Sequence, residues 1–168
     1  MCALNEVKGM KVFMKKVLFI SSTGGHFNEL LQLKKTMKKY DSYIITEKTK
    51  STVDMKKYFG DKIFYLVYGT KSHFSYLYKF PFNCLKSFYY FFKIRPAVVV
   101  TTGAHTGVIM CYIAKLFRKK VIYIETFANM HTKTVSGKLV YPIADMFIVQ
   151  WESMLKLYPK AVYGGWIF

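Results

Sequence analysis

Apolar and polar residues follow two patterns along the chain: short β-rich runs and longer segments with helical periodicity. The β-rich runs predict strands at 16–22, 42–46, 62–68, 97–102, 120–125 and 146–150. The helical segments predict helices at 27–40, 51–59 and 106–119, and a short helix in the loop that ends near residue 143. Strands that are apolar on both faces and separated by helices are typical of a parallel sheet covered on both sides. The pattern therefore predicts one α/β domain with a Rossmann-like parallel sheet and helices on both faces.

The amino-terminal residues do not continue this pattern. Residues 1–13 carry acids and a glycine where a secretory signal would need an apolar core, and Met14 begins the stretch MKKVLFISS, which is typical of a natural start. We therefore treat residues 1–13 as an extension without information on function, and residues 14–168 as a single domain.

Composition adds a strong positive charge to this picture. Lysine and arginine number 26 against 9 acidic residues, which gives a formal net charge of +17. Such an excess indicates an anionic partner, whether nucleic acid, an acidic membrane surface or a phosphorylated substrate. The three cysteines are scattered without a CxxC pair, and His73 and His131 have no ligand spacing with the other histidines. The sequence therefore favours a reducing compartment, and we expect neither a disulfide framework nor a metal site.

A glycine-rich loop follows the first predicted strand. It reads STGGH and contains Thr23, Gly24, Gly25 and His26. In a parallel sheet such a loop lies at the carboxyl end of a strand, where glycines let the backbone approach a pyrophosphate and helix N-termini offer free N–H groups. A dinucleotide site is the nearest alternative, because Glu47 ends the second strand about where a ribose-binding acid belongs. However, the third glycine of GxGxxG is missing, and the chain contains no GKS or GKT of a Walker loop.

A second loop of similar composition, TTGAHTG, opens the helix after the strand at 97–102. It contains Gly103, His105, Thr106 and Gly107. Two such loops at the carboxyl ends of strands would face one crevice, and we interpret them as a site for an anionic ligand. The alternative is that their glycines only permit tight strand-to-helix turns.

Three side chains near these loops are candidates for chemistry. His26 and His105 are candidates for a general base or for donors to phosphate, and the alternative is that they are exposed residues at helix starts. Glu125 is the last residue of its predicted strand. It is a candidate to orient a sugar hydroxyl or to pair with a histidine, and the alternative is a strand-end charge in solvent.

The segment FSYLYKFPFNCLKSFYYFF at 74–92 is rich in aromatic residues. The segment does not have the pattern of a membrane-spanning helix, because Lys79, Lys86 and Lys93 recur every seven residues and Pro81 interrupts it. On a helical wheel the lysines share a polar stripe with Asn83, Ser87 and Tyr90, and Phe82 falls on the flank of that stripe. The opposite side carries Phe80, Cys84, Leu85, Phe88, Phe91 and Phe92.

A basic and aromatic amphipathic helix suits the surface of an anionic membrane. We therefore predict a membrane-contacting surface made of Lys79, Phe82, Lys86, Tyr90 and Lys93. The alternative is that the phenylalanines pack on the sheet and the lysines are simply solvated. A mixed outcome, with part of the helix in the core and part exposed, is our expectation.

Three segments together resemble a known family: STGGHFNELLQL, VVTTGAHTGV and YIETFANMHTKTVSGKLVYPIADMFIVQW. They are similar to the membrane-associated subunit of the two-chain UDP-N-acetylglucosamine transferase of dolichol-linked oligosaccharide synthesis, with the nearest likeness to bacterial capsule and exopolysaccharide proteins of that family. The resemblance spans residues 14–168. It implies the N-terminal lobe of a GT-B glycosyltransferase, which handles a lipid-pyrophosphate acceptor at the cytoplasmic face of the plasma membrane without a cofactor. A separate glycosyltransferase chain would hold most of the UDP-sugar donor.

The resemblance also implies roles for individual residues. Gly24, Gly25 and His26 match the first loop of the family, with His26 where a base is suggested. Further matches are Gly103, His105, Thr106 and Gly107 in the second loop, Glu125 and Asn129 along the crevice, and Tyr163, Gly164, Trp166 and Phe168 in a tail that docks the partner. Eukaryotic members open with a membrane-spanning helix that this sequence does not show, so we expect the basic and aromatic surface or the partner to anchor the chain.

Two other hypotheses stand beside a catalytic subunit. The chain is either a scaffold that anchors and activates a partner glycosyltransferase without taking part in the chemistry, or a nucleic-acid binder. The net charge motivates the second, but the sequence contains no recognisable RNA- or DNA-binding module. As half of a GT-B enzyme, the chain is expected to be inactive without its partner.

Overall fold

The computed structural model describes residues 4–7, 10–69 and 76–167, and seven parallel strands form its main sheet. In chain order the strands are β1 Leu4–Val7, β2 Met10–Phe13, β3 Lys16–Ile20, β4 Asp41–Lys48, β5 Ile63–Val67, β6 Val98–Thr101, β7 Lys120–Ile124, β8 Met146–Val149 and β9 Val162–Tyr163. The helices are α1 Gly25–Gln32, α2 Lys34–Met37, α3 Lys56–Phe59, α4 Tyr76–Ile94, α5 Ala104–Leu116 and α6 Val135–Val140. Short 3₁₀ turns lie at Val53–Met55, Gly60–Lys62 and Glu152–Lys156.

The order of the strands places a switch point at the centre of the main sheet. The order is β5-β4-β3-β6-β7-β8-β9, and every neighbouring pair is parallel. The chain therefore builds outward from β3 in one direction with β4 and β5, and in the other direction from β6 to β9. In sheets of this kind ligands bind outside the carboxyl ends of the strands at the point where the order reverses. The predicted Rossmann-like architecture is confirmed, and its crevice lies between β3 and β6.

The structure differs from the predicted elements in several places. The predicted helix at 27–40 is interrupted at Leu33, which separates α1 from α2. The predicted helix at 51–59 begins as a 3₁₀ turn and becomes α3 only at Lys56. The tail adds β9 to the edge of the sheet, where Gly164 N–H donates to Val149 O at 2.9 Å. A two-residue strand is too short to leave a periodic signal, so the sequence pattern did not indicate it.

The amino-terminal segment forms structure of its own. β1 and β2 pair antiparallel, with Leu4 opposite Phe13, and form a two-stranded sheet separate from the main one.

The core is divided by the sheet into two clusters, because strand side chains alternate between faces. Leu18 and Ile20 of β3 belong to the cluster shared with α4 and α5, whereas Val17 and Phe19 belong to the cluster shared with α1. All four side chains are buried. A strand that is apolar on both faces is what a central parallel strand requires, and it holds the loop after β3 on a rigid base.

Helix α4 buries part of its polar stripe against the sheet together with Phe91 of the apolar side, which is the expected mixed outcome. Asn83 and Ser87 are buried, and the Asn83 side-chain amide accepts from Val67 N–H at 2.9 Å and donates to Val67 O at 2.8 Å. Tyr90 is half-buried, and its hydroxyl donates to Tyr65 O at 3.2 Å. The backbone of β5 needs polar partners, and the polar stripe of α4 supplies them. Contact of Tyr90 with a membrane stays a prediction.

The outward side of α4 is instead aromatic and apolar. Its exposed side chains are Tyr78, Phe80, Phe82, Leu85, Phe88, Tyr89 and Phe92. The helix continues through Pro81, which lies in its second turn. Within the described parts of the chain, no helix combines the length and the apolar character needed to cross a membrane.

Candidate functional site

The two glycine loops lie side by side at the carboxyl ends of β3 and β6 and are joined by two hydrogen bonds. His26 Nδ1 lies 2.9 Å from Thr102 O, and the Thr102 hydroxyl donates to His26 O at 2.8 Å. These residues are 76 positions apart in sequence, so the adjacent strands create the contact. The two loops therefore lie together at one edge of the sheet, as a shared crevice requires.

Two of the loop glycines, Gly24 and Gly103, adopt backbone angles that favour glycine. Gly24 has φ +77°, in the region that favours glycine, although a Cβ there would meet open space. Gly103 has φ +106°, and a Cβ would also lie 2.9 Å from the Tyr123 hydroxyl. Gly25 is exposed with no atom near its missing Cβ. The first loop therefore presents bare backbone at the start of α1, as an anion site needs.

The contact with Thr102 fixes the protonation pattern of His26. A carbonyl oxygen can only accept a hydrogen bond, so Nδ1 carries the proton and Nε2 keeps its lone pair in the neutral ring. The side chain of His26 is 32% exposed. This is the arrangement of a general base: one nitrogen is held by the protein and the other is able to take a proton.

Glu29 lies beside His26 on the same face of α1. Its Oε2 atom is 3.9 Å from His26 Nδ1, outside hydrogen-bond range but close enough to stabilise an imidazolium. Its Oε1 atom accepts from the Thr126 hydroxyl at 2.7 Å and from Phe127 N–H at 3.1 Å. Glu29 thus joins the first loop to the segment after β7. The sequence pattern did not single out Glu29, although its i, i+3 spacing from His26 places the two side chains together on a helix.

Glu47 contacts both loops from a buried position. Its side chain is almost completely buried, Oε2 accepts from Thr23 N–H at 3.4 Å, and Oε1 lies 3.4 Å from His105 Nε2. The sequence suggested Glu47 only as a ribose ligand in the dinucleotide alternative. In the structure its carboxylate is used within the protein, where it links Thr23 of the first loop with His105 of the second.

Glu125 is buried below the crevice and is not a strand-end charge in solvent. Its carboxylate accepts from Thr126 N–H at 3.1 Å, from the Thr134 hydroxyl at 2.9 Å and from the Tyr158 hydroxyl at 3.0 Å. Burial raises the pKa of Glu125, and these hydrogen bonds, together with the nearby His26, oppose the rise. The carboxylate organises the segment after β7 from within the fold. Its predicted catalytic role stays a prediction, and the observed contacts are those of a positioning residue.

Other residues predicted to contact a ligand lie behind the surface or within turns. Thr106 is buried, and Gly107 packs against Thr101 so closely that a Cβ would overlap its side chain. Asn129 accepts from Thr132 N–H and from the Thr132 hydroxyl, which closes a turn. Contact of any of these three residues with a ligand stays a prediction.

Two lysines of α4, Lys86 and Lys93, lie over aromatic rings. Lys86 Nζ is 5.9 Å from the centre of the Phe82 ring and 5.7 Å from that of Tyr90, and burial lowers the pKa of Lys86. Lys93 Nζ lies 5.2 Å from the Phe64 ring centre, and Lys79 is half-buried. Because the rings of Phe82 and its neighbours are exposed, α4 offers both cations and aromatic surface to the outside.

The tail ends in an exposed aromatic cluster. Trp166 is 65% exposed, and its ring meets Phe127 edge-on at 5.1 Å and lies 6.0 Å from Trp151. Tyr163 is exposed in β9, and Gly164 lies against Ile148. Phe168, also predicted to dock a partner, lies outside the described residues. The described residues contain no group of three or more acidic, histidine or cysteine side chains placed to hold a metal ion.

Comparisons with known proteins match nearly the whole chain to one family. A family model described as "Oligosaccharide biosynthesis protein Alg14 like" matches residues 17–167. The UDP-N-acetylglucosamine transferase subunit ALG14 of Yarrowia lipolytica is 28% identical over 175 residues, which cover 89% of this chain and 80% of that protein. The subunit of the same name from Mus musculus is 29% identical over 177 residues, covering 89% of this chain and 82% of that protein.

Solved structures share the fold at low sequence identity. MurG of Acinetobacter baumannii superposes with a TM-score of 0.66 at 15% identity, covering 83% of this chain and 42% of that protein. UDP-N-acetylglucosamine 2-epimerase of Rickettsia bellii gives a TM-score of 0.66 at 15% identity, covering 87% of this chain and 41% of that protein. The chain therefore has the architecture of one lobe, and it spans less than half the length of these two solved proteins.

Proposed function

This chain belongs to the Alg14 family, and we propose that it is the acceptor-binding, membrane-associated subunit of a two-chain glycosyltransferase. The complex would transfer a sugar from a UDP-sugar to a saccharide linked to a lipid pyrophosphate. We further propose that the product serves capsular or exopolysaccharide synthesis and that the subunit works at the cytoplasmic face of the plasma membrane. Membership of a family whose relatives are named as subunits of a UDP-N-acetylglucosamine transferase supports the first part.

The single observation that carries the proposal is the joined pair of loops with a base between them. The bonds between His26 and Thr102 hold the bare backbone around Gly25 next to the start of α5. Two helix N-termini then point their positive ends at one place, which suits a pyrophosphate. The formal charge of +17 favours the same kind of ligand.

The chemistry we propose for this site is acid–base catalysis of a displacement. His26 Nε2 takes the proton of the acceptor hydroxyl while that oxygen forms its bond to the donor sugar, and the bond between the sugar and UDP breaks. The imidazolium that results is stabilised by Thr102 O and by the Glu29 carboxylate. UDP leaves on the side of the partner, whose lobe would hold most of the nucleotide and close the crevice to water. Neither a metal nor another cofactor is part of this proposal.

Association with a membrane is supported by the exposed side of α4. Aromatic rings at this surface suit the headgroup region, and each lysine near an anionic surface contributes about 1 kcal/mol. The exposed cluster around Trp166 supports a partner that docks at the tail, because exposed tryptophans are frequent at the centres of interfaces.

The test is a reconstitution of the chain with the candidate partner, a short glycosyltransferase chain with a nucleotide-binding lobe. Sugar transfer from UDP-sugars to lipid-pyrophosphate saccharides is measured with each chain alone and with both. We expect transfer only with both chains, and we expect Trp166→Ala to weaken their copurification. Transfer by this chain alone would contradict the proposal.

A non-catalytic scaffold is the second candidate, favoured by the exposed tail. It predicts that removal of residues 163–168 abolishes activation of the partner, whereas substitutions in the glycine loops leave the rate unchanged. A catalytic subunit predicts loss of activity from both changes, so the loop substitutions separate the two functions.

A further inference from the structure

A cavity of about 350 Å³ lies next to the second glycine loop, between α4, α5 and α6. Its walls are made of Phe80, Ala104, His105, Val108, Ile109, Val135, Ser136 and Leu139. The proposed pyrophosphate site lies at the loop itself, and this cavity lies beside it.

The cavity is polar where it meets the loop and apolar further along both helices. His105 lies in the first turn of α5 and Ser136 in the first turn of α6, whereas Ile109 and Leu139 follow one turn later. The Ser136 hydroxyl would lie 3.5 Å from a Cβ on Gly103, so this end of the cavity adjoins the loop. A ligand that fits such a space has an anionic head and a hydrocarbon continuation.

The apolar end continues into the exposed apolar surface of the molecule. Leu139 is 45% exposed, and Tyr112 of α5 reaches it with a hydroxyl that donates to Leu139 O at 3.0 Å. Phe80, which lines the cavity, belongs to the exposed aromatic side of α4. The path from the loop through the cavity therefore ends at the surface proposed to meet the membrane.

We propose that this cavity binds the first part of the hydrocarbon chain of the lipid-pyrophosphate acceptor, next to its phosphates. The inference rests on the proposed function, because the head of the ligand is assigned to the glycine loops. A dry cavity of roughly 150 Å³ holds one benzene ring, so the space here accommodates about a dozen carbon atoms. The remainder of the chain lies in the membrane. The subunit thus recognises the acceptor by its chain as well as by its charge.

The test compares pyrophosphates that differ only in chain length, bound to the purified full chain. Farnesyl pyrophosphate, dimethylallyl pyrophosphate and inorganic pyrophosphate are titrated by calorimetry below the concentration at which the longest one aggregates. We expect farnesyl pyrophosphate to bind at least about 100-fold more tightly than dimethylallyl pyrophosphate, because two further isoprene units are removed from water.

Two matched substitutions test whether the cavity causes the preference for the long chain. Leu139→Gln alters the cavity and Leu116→Gln alters the outer face of α5, and both side chains are exposed enough for an amide to be tolerated. We expect Leu139→Gln to reduce the preference for the long chain to about tenfold or less, with unchanged affinity for dimethylallyl pyrophosphate, and Leu116→Gln to leave the preference intact. Val135→Gln, on another wall of the cavity, provides an independent repeat.

The failure of this inference is distinguishable from the failure of the proposed function. Equal affinities for both chain lengths, with pyrophosphate still bound, would overturn the inference and leave the proposed function in place. A preference lost in Leu116→Gln and kept in Leu139→Gln would also overturn it, since the chain would then lie on the outer face of α5. If no pyrophosphate binds, the assignment of the glycine loops is wrong and the inference fails with it.

Discussion

His26 and Thr102 hold each other through two hydrogen bonds, one from the imidazole Nδ1 to the Thr102 carbonyl and one from the Thr102 hydroxyl to the His26 carbonyl. The bonds join the loop after β3 to the loop after β6 and orient the ring at the same time. The two bonds hold together two glycine loops that are far apart in sequence. They also make the orientation of His26, the proposed base, depend on a residue of the other loop.

Substitution of Thr102 by valine tests this link. The variant keeps the carbonyl that orients His26 but loses the hydroxyl bond to His26 O, and we expect a loss of about 1 kcal/mol in the free energy of unfolding. Urea denaturation measures it. Thr132→Val serves as the control, because its hydroxyl bonds within an exposed turn and its loss is expected to change stability by less than about 0.5 kcal/mol. Equal effects in both variants would contradict a special link between the loops.

Glu29→Gln tests the stabilisation of the imidazolium. The amide oxygen can still accept from Thr126 and Phe127, so the fold is preserved, but the negative charge 3.9 Å from His26 Nδ1 is lost. A charge at this distance contributes at least about 1 kcal/mol, so we expect kcat of the reconstituted enzyme to fall about five- to tenfold. Asp54→Asn removes an exposed carboxylate elsewhere and should leave kcat unchanged. A Glu29→Gln enzyme with the kcat of the wild type would show that the carboxylate has no part in the chemistry.

We predict that membrane binding depends on Phe82 and Leu85, which lie on the exposed side of α4. Phe82 and Leu85 are 53% and 71% exposed, and serine at both positions should weaken binding to vesicles of phosphatidylglycerol and phosphatidylcholine by tenfold or more, with roughly 1.5–3 kcal/mol lost per side chain that is buried in the bilayer. Flotation of the vesicles measures the bound fraction. Val53→Ser with Tyr58→Ser removes exposed apolar area from another part of the surface and is the control. Unchanged binding in the α4 variant would exclude this face as the membrane contact.

The lowered pKa of Asp145 leads us to predict that the fold loses stability in acid. Burial alone would raise its pKa, but hydrogen bonds from Val121 N–H, Lys120 and Lys115 lower the pKa from 3.8 to about 2. Because the pKa in the folded state is below that of the unfolded chain, the carboxylate stabilises the fold above about pH 4. That contribution is lost as the pH falls toward 2.

The corresponding measurement is the free energy of unfolding as a function of pH. Asp145→Asn should be less stable than the wild type above pH 4 and should lose less stability between about pH 4 and pH 2. Asp61→Asn, at an exposed position, is the control. If Asp145→Asn kept the pH dependence of the wild type, the hydrogen-bonded carboxylate would not be its source.

The sequence predicted the sheet and the position of the crevice, because these depend on local pattern. Strands such as β3 and β6 are apolar on both faces, and the glycines that follow them have few uses other than tight turns or ligand loops. The side chains that complete the site were missed for a physical reason. Glu29 meets Thr126 across 97 positions, and Glu47 meets His105 across the sheet, and such contacts leave no trace in the spacing of residues.

The orientation of α4 shows the limit of a helical wheel. The wheel separated polar from apolar residues, but it could not decide which side faces inward. The free backbone groups of Val67 at the edge strand β5 decide it, because they are satisfied by the side-chain amide of Asn83. Phe91 of the aromatic side reaches the core, and the exposed rings of that side form the surface proposed to contact a membrane.

The role of His26 as the base is tested by measuring kcat of the His26→Ala variant in the complex with the partner chain, together with KM for the lipid acceptor and the free energy of unfolding of the isolated chain. If His26 is the base held by Thr102, kcat falls by roughly 10²- to 10⁴-fold while the chain stays folded and still copurifies with its partner. A folded His26→Ala variant that supports the full rate of the wild type would contradict the account.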